Sequence, residues 1–148
     1  MPKSFALDVA KFAEKAGGNV KQVVRKVAVD TLSKVVERTP VGNPENWKSP
    51  PPPGYVGGRL RANWNASLSN ADFSTSERTD KDGSPTVSRG ASRLSRFDGV
   101  QDIHIMNSLP YVRRIEYEGW SQQAPAGMVR VTVAEFQTFV DAAVRSVK

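Results

Sequence analysis

The chain contains no cysteine in its 148 residues. That absence excludes disulfides, thiolate metal sites and cysteine nucleophiles, and it fits assembly in a reducing cytosol. Histidine is reduced to a single residue, His104. No apolar run approaches the ~20 residues that a membrane span needs. No apolar signal-peptide core follows Met1, so the chain is expected to be made and used in aqueous surroundings. There is also no Walker loop, dinucleotide fingerprint or serine nucleophile elbow. Neither a groove-entering recognition helix nor an aromatic stacking motif of a dedicated DNA reader is present. Internal repeats and a second domain are absent too, so residues 1–148 are read as one domain, long enough to bury roughly two-thirds of its unfolded surface.

The composition is globular but lean. Hydrophobic residues make up 39% and charged residues 24%, and 10 prolines with 11 glycines imply long irregular segments. Such a chain suits a subunit that finishes burying its surface against neighbours. The net charge of +6 is spread along the sequence rather than held in one tract. It favours polyanionic partners through counterion release, although a merely solvated basic surface gives the same composition.

Phe5, Val9, Phe12 and Ala16 recur at helical spacing, which predicts an amphipathic helix over residues 4–16. Gly17-Gly18 breaks it and Asn19 is placed to cap the next helix. In that helix Val20, Val24, Val27, Thr31 and Val35 form a stripe, widened by Val23, Leu32 and Val36. Its many β-branched residues lower intrinsic propensity, so packing must stabilise it. Pro40 disfavours helical geometry at Thr39 and ends it. Residues 42–58 then hold Pro44 and the run Pro50-Pro51-Pro52-Pro53, a stiff extended tract without amide donors.

From Leu60 the period changes to two. Leu60, Ala62, Trp64, Ala66 and Leu68 alternate with Arg61, Asn63, Asn65 and Ser67, which predicts a half-buried strand with Trp64 at its centre. Residues 69–90 are polar, and Asp80-Lys81-Asp82-Gly83 marks a hairpin tip or a mobile loop. A helical turn over 91–97 is expected to present Arg89, Arg93 and Arg96, followed by a second strand over 102–106. Leu109-Pro110 opens a short helix through Tyr117, ended by Gly119. Val129 and Val131 are read as a last strand, and Thr132–Glu135 as a capping box for a final helix with Val133, Phe136, Val140, Ala143 and Val147 on one face. The fold class is therefore α+β: an antiparallel sheet of about three to five strands packed against a long N-terminal helix and a C-terminal helix, with long Pro-rich and polar loops. Leu60, Trp64, Ile103, Ile105, Val129, Val131, Phe136 and Val140 are the expected core anchors.

Little in this pattern points to chemistry. His104 faces away from Ile103 and Ile105 by strand alternation; Asp102 shares its face, but no third ligand is available for a metal. Glu116 and Glu118 are two apart on a short helix and so diverge. Gly57-Gly58 reads as backbone freedom rather than a phosphate cradle. No catalytic residue, metal or cofactor is expected, and the chain is read as not being an enzyme.

Three groups of short strings in fixed order remain. They are Arg38-Thr39-Pro40-Val41 leading to Gly57-Gly58-Arg59-Leu60-Arg61-Ala62-Asn63-Trp64, then Asn107–Val112 through Glu116–Gly119, then Gln123-Ala124-Pro125-Ala126-Gly127-Met128. Together they closely resemble the tail-completion and head–tail joining (neck) proteins of tailed bacteriophages, the minor-tail-Z-like morphogenesis proteins among them. The resemblance covers nearly the whole chain in register. It implies a structural virion protein at the head–tail junction, assembled in the host cytoplasm. There it would form a ring, sixfold by expectation, that completes the tail or joins it to the head around the DNA channel. The implied partners are further copies of itself, the head connector or adaptor, the tail terminator or tail-tube proteins, and genomic DNA passing without sequence reading; no membrane is implied. A tail terminator and a non-specific DNA-binding module are the alternatives.

Two sets of residues follow as candidates for these contacts. Family members pass from Thr-Pro-Val to Gly-Arg-Leu through few residues, whereas here a Pro-rich insert intervenes. Its Trp47, Pro50, Pro51, Pro52, Pro53 and Tyr55 are candidates for contact with a neighbouring subunit or partner. Arg25, Lys26, Arg59, Arg61, Arg89, Arg93 and Arg96 are candidates for charge lining a DNA channel.

Overall fold

The computed structural model describes residues 20–147, so the helix expected over 4–16 and the cap at Asn19 lie outside the described residues. Its spine is helix α1, Val20–Glu37. The buried face of α1 is Val23, Val27, Ala28, Leu32, Val35 and Val36, while Val20, Val24 and Thr31 of the expected stripe are half-buried. The stripe is displaced because neighbours cover α1 on two sides. Near its start, Val23 and Val27 pack with Val140 and Ala143 of the C-terminal helix α6, Phe136–Val147. Farther along, Leu32 and Val36 join Leu60, Trp64, Leu94, Leu109 and Met128 in the main core. Burying each such side chain contributes about 1.5–3 kcal/mol, which compensates the poor helix propensity of the valines.

A single helical turn, α2, Arg59–Ala62, precedes strand β1, Asn65–Leu68. After the polar segment come helix α3, Ser84–Leu94, and strand β2, Ile103–Met106. β1 and β2 pair antiparallel, with Asn65 opposite Met106 and Leu68 opposite Ile103. Two short helices follow, α4 at Val112–Tyr117 and α5 at Val129–Ala134, before α6. The architecture is α+β, with one two-stranded antiparallel sheet among the described residues and helices packed around it. None of the described helices is long and apolar enough to cross a membrane.

This corrects the expectation of about three to five strands, and two elements account for it. The strand expected over 60–68 is a strand only from Asn65. Leu60 and Trp64 are both buried, but they are four residues apart, a spacing that one helical face satisfies as well as strand alternation does. Gly58 decides between them. It sits in the left-handed region (φ 104°) directly against the backbone of Asp80, and the chain enters α2 from there. The second correction is the strand at Val129 and Val131, which is helix α5. Val129 is 40% exposed and Val131 half-buried, so neither is a fully buried anchor. The capping box is absent as well: the Thr132 hydroxyl donates to the Met128 carbonyl one turn back, and Glu135 pairs with Arg38 at 2.7 Å.

The polar segment expected over 69–90 is corrected too: from Ser84 it is helix α3, which ends at Leu94, and 69–83 is pinned rather than projecting as a hairpin. Asn63 and Asn65, expected to face solvent, are buried beneath it. The Asn63 amide donates to the carbonyls of Arg59 (2.7 Å) and Ser76 (3.0 Å), and its oxygen accepts from the Ser76 N–H (2.7 Å). Asn65 donates to the Ser74 carbonyl at 2.9 Å. Asp80 then accepts from the N–H groups of Asp82, Gly83 and Thr86 and from the Thr86 hydroxyl, which closes the start of α3. These groups satisfy donors that a helix start leaves without partners.

Candidate functional site

The strings that carry the resemblance are far apart in sequence but are joined to one another in the fold. Thr39, fully buried, donates its hydroxyl to the Val35 carbonyl at the end of α1 and accepts from the Trp64 indole N–H at 2.7 Å. The Arg61 guanidinium donates to the carbonyls of Glu37 (3.2 Å) and Thr39 (2.9 Å), and also to that of Lys81. A cation at a helix C-terminus satisfies orphan carbonyls and opposes the negative end of the helix dipole. The Asn107 amide donates to the Leu60 carbonyl at 2.8 Å. Gln123 accepts from the Val41 N–H (3.1 Å) and donates to the Val41 carbonyl (3.0 Å), imitating a paired strand.

Glu116 makes the densest of these links. Its buried carboxylate accepts from three successive N–H groups, Met128 (2.6 Å), Val129 (2.9 Å) and Arg130 (2.9 Å), which are the free donors at the start of α5. Burial alone raises its pKa, but these hydrogen bonds and the Arg130 side chain outweigh burial and hold it below the usual carboxylate range. Gly127 is required beside it. Its φ is 91°, and a Cβ there would lie 2.7 Å from the Glu116 carbonyl oxygen.

The Pro-rich insert is an excursion whose ends meet. A Cβ on Gly57 would lie 2.6 Å from the Gly42 carbonyl oxygen, so the chain leaves and returns at one place. Between them Trp47 and Tyr55 pack edge to face, 4.8 Å between centroids, as in a compact Ω-loop held by its own side chains. Both keep much of their surface, 41% for Trp47 and 36% for Tyr55, and Pro50 to Pro53 are exposed. Beneath the loop opens a cleft of about 1350 Å³, walled by Trp47, Tyr55, Tyr111 and Trp120. Burial raises the pKa of the Tyr111 hydroxyl, and Lys48, Arg59, Glu77 and Gln123 also line the cleft.

The candidate channel charges are mostly engaged within the chain. Arg25 donates to the Phe97 carbonyl, Lys26 pairs with Asp30, and Arg59 binds Glu77 and the Ser76 carbonyl. Arg89 donates to the Ala62 carbonyl and Arg93 pairs with Asp72. Of the seven, Arg96 alone makes no side-chain hydrogen bond among the described residues. Of the core anchors, Leu60, Trp64 and Val140 are buried, and Ile103, Ile105 and Phe136 pack half-buried against the clusters. His104 is half-buried with Nε2 3.2 Å from the Ser69 carbonyl oxygen. No group of three or more His, Cys, Asp or Glu suited to a metal is found among the described residues.

Sequence reasoning passed over the arginines around α4. Arg114 stacks over the exposed Trp120 ring at 4.8 Å, while Arg113 and Arg130 flank the Tyr117 ring at 6.0 and 5.1 Å. The available signal was an Arg pair three and four residues before Tyr117 on a helix. Protein-family models, curated proteins and solved structures give no match to this chain. The resemblance to phage neck proteins thus rests on the motif residues themselves.

Proposed function

We propose that this chain is a structural protein of the head–tail junction of a tailed bacteriophage, a ring subunit that completes the tail or joins it to the head around the DNA channel. The observation that carries the reading is the junction itself. The strings of the family-like pattern are joined to one another through Thr39–Trp64, Asn107–Leu60, Gln123–Val41 and Glu116–Met128. A set of motifs that builds the fold is what an assembly protein with no reacting centre would keep. The insert between Gly42 and Gly57 is then the part free to vary with the neighbour it meets. Its closed ends let it differ without disturbing the core, and its aromatic and proline surface is exposed among the described residues.

The test replaces residues 47–55 with a Gly/Ser linker. The expected result is an unchanged melting temperature with accumulation of unjoined heads and tails. Normal yields of joined, infectious particles would remove the assigned role. Docking of purified chain to isolated tail-tube ends or to head connectors separates tail completion from head joining, and binding only to tube ends favours a terminator.

A further inference from the structure

Guanidinium groups and exposed rings are interleaved around the end of α4. Arg114 lies over the Trp120 ring at 4.8 Å, and Arg113 and Arg130 lie 6.0 and 5.1 Å from the centre of the Tyr117 ring. Tyr117 is 63% exposed and Trp120 62%, so both rings keep most of their surface despite the cations against them. Among the described residues Arg113 and Arg114 make no ion pair and no side-chain hydrogen bond, unlike Arg59, Arg89 and Arg93. Arg130 is tied to Glu116, whose buried carboxylate is occupied by three N–H groups. Between Val112 and Arg130 that leaves Glu118 as the one exposed carboxylate, against three exposed arginines. The surface is therefore positive and aromatic together.

That pairing narrows the ligand. Positive charge alone suits any anion, and rings alone suit any apolar surface. Rings set among cations match a strand in which phosphates alternate with flat bases. In a duplex the base faces are closed against one another, so only a single strand offers both groups at once. We propose that the patch of Arg113, Arg114, Tyr117 and Trp120 binds single-stranded DNA, with bases stacked on the two rings and phosphates against the two guanidiniums. The contact tolerates any sequence, because every base has a face to stack. The neck reading supplies only the choice of DNA over RNA. Binding is measured on the purified chain, so its failure leaves the neck reading standing, and a failure in particle joining does not count against the patch.

The test is fluorescence anisotropy of a labelled oligothymidylate of about twelve nucleotides, within the usual site size of such surfaces. At low salt the full chain is expected to bind it at least tenfold more tightly than a duplex of equal length. Trp120→Ala and Tyr117→Ala should each weaken binding at least fivefold, while Trp120→Phe keeps it. Arg113→Ala combined with Arg114→Ala should make the salt dependence shallower by about 1.4, two phosphates at about 0.7 each for a single strand. Melting temperatures should stay at the wild-type value, because all four side chains are exposed. No binding at the highest soluble concentration overturns the proposal. So do ring variants that bind like wild type, or equal affinity for the duplex. If polyglutamate displaces the strand and its own binding falls equally with Trp120→Ala, the patch takes an acidic protein segment and the DNA assignment is wrong.

Discussion

At the scale of single residues the fold depends on a few buried polar groups with complete sets of partners. Trp64 is 3% exposed and combines a large apolar surface with a hydrogen bond to Thr39, which in turn holds the end of α1. Trp64→Ala is expected to lower stability by about 3–5 kcal/mol. Trp64→Phe, which keeps most of the area but leaves Thr39 short of a donor, is expected to cost less, about 1–2 kcal/mol. Urea unfolding of both variants measures this, and a Trp64→Ala variant within a few tenths of wild type would contradict it. Glu116 has a second signature. Its folded pKa is lowered, as is that of Asp80, where burial is outweighed by the Thr86 hydroxyl and three N–H donors. The stability these carboxylates give is therefore present above their unfolded values of about 4.3 and 3.9, and is lost as pH falls through the lower folded values. Unfolding midpoints should hold from neutral pH to about pH 4.5 and then drop. Glu116→Gln, which turns an amide group toward main-chain donors, should cost about 2 kcal/mol at pH 7 and make the acid decline shallower.

At the scale of elements, the approach of helices is set by residues without side chains. Gly90 lies in the middle of α3, where alanine would normally stabilise a helix by up to about 1 kcal/mol. Here a Cβ would meet Leu32 Cδ2 at 2.2 Å, and it would touch Ala66 of β1 at 3.4 Å. Leu32 is fully buried and has nowhere to withdraw. Overpacking of this kind costs about 1–3 kcal/mol. Gly90→Ala is thus expected to destabilise the protein although it favours the isolated helix. A peptide of residues 84–94 carrying the change should show more helix by circular dichroism while the full chain melts lower. A rise in the melting temperature would mean that α3 can move away from α1 at little cost.

For the whole molecule, charge is the quantity that changed meaning between sequence and fold. The net charge of +6 suggests a polyanion partner, but most of the candidate arginines hold carbonyls and carboxylates of the same chain. Among the described residues, guanidinium groups without an ion pair or side-chain hydrogen bond include Arg96 and Arg145, and Arg113 and Arg114 lie beside exposed aromatic rings. An isolated chain should therefore bind duplex DNA weakly and without sequence preference. Its salt slope should correspond to few phosphates, on the order of two or three. Fluorescence anisotropy with two unrelated duplexes at several salt concentrations measures both. A steep slope, or a strong preference for one sequence, would show that the intramolecular pairs open to contact DNA.

The sequence by itself determined the elements whose patterns admit one period. The valine-rich helix and its stop at Pro40, the Ile103–Met106 strand, the short helix ending near Gly119 and the last amphipathic helix from Phe136 could all be read from local spacing and local stop signals, whereas Val133, expected on the buried face of that last helix, is exposed on α5. Of the candidate site, the insert and its two aromatics were legible because four successive prolines need no context to be stiff. Tertiary structure decided the rest, for identifiable reasons. Leu60 and Trp64 fit two periods, and the choice fell to Gly58 against the Asp80 backbone. Val129 and Val131 alternate like a strand, yet a carboxylate from Glu116 supplies the helix start. Asn63 and Asn65 look like solvent-facing residues until the segment they bind is laid over them. In the first case the partner is main chain, the Asp80 N–H donating to the Gly58 carbonyl, and in the other two it is a side chain; no local pattern records where such a partner will come from.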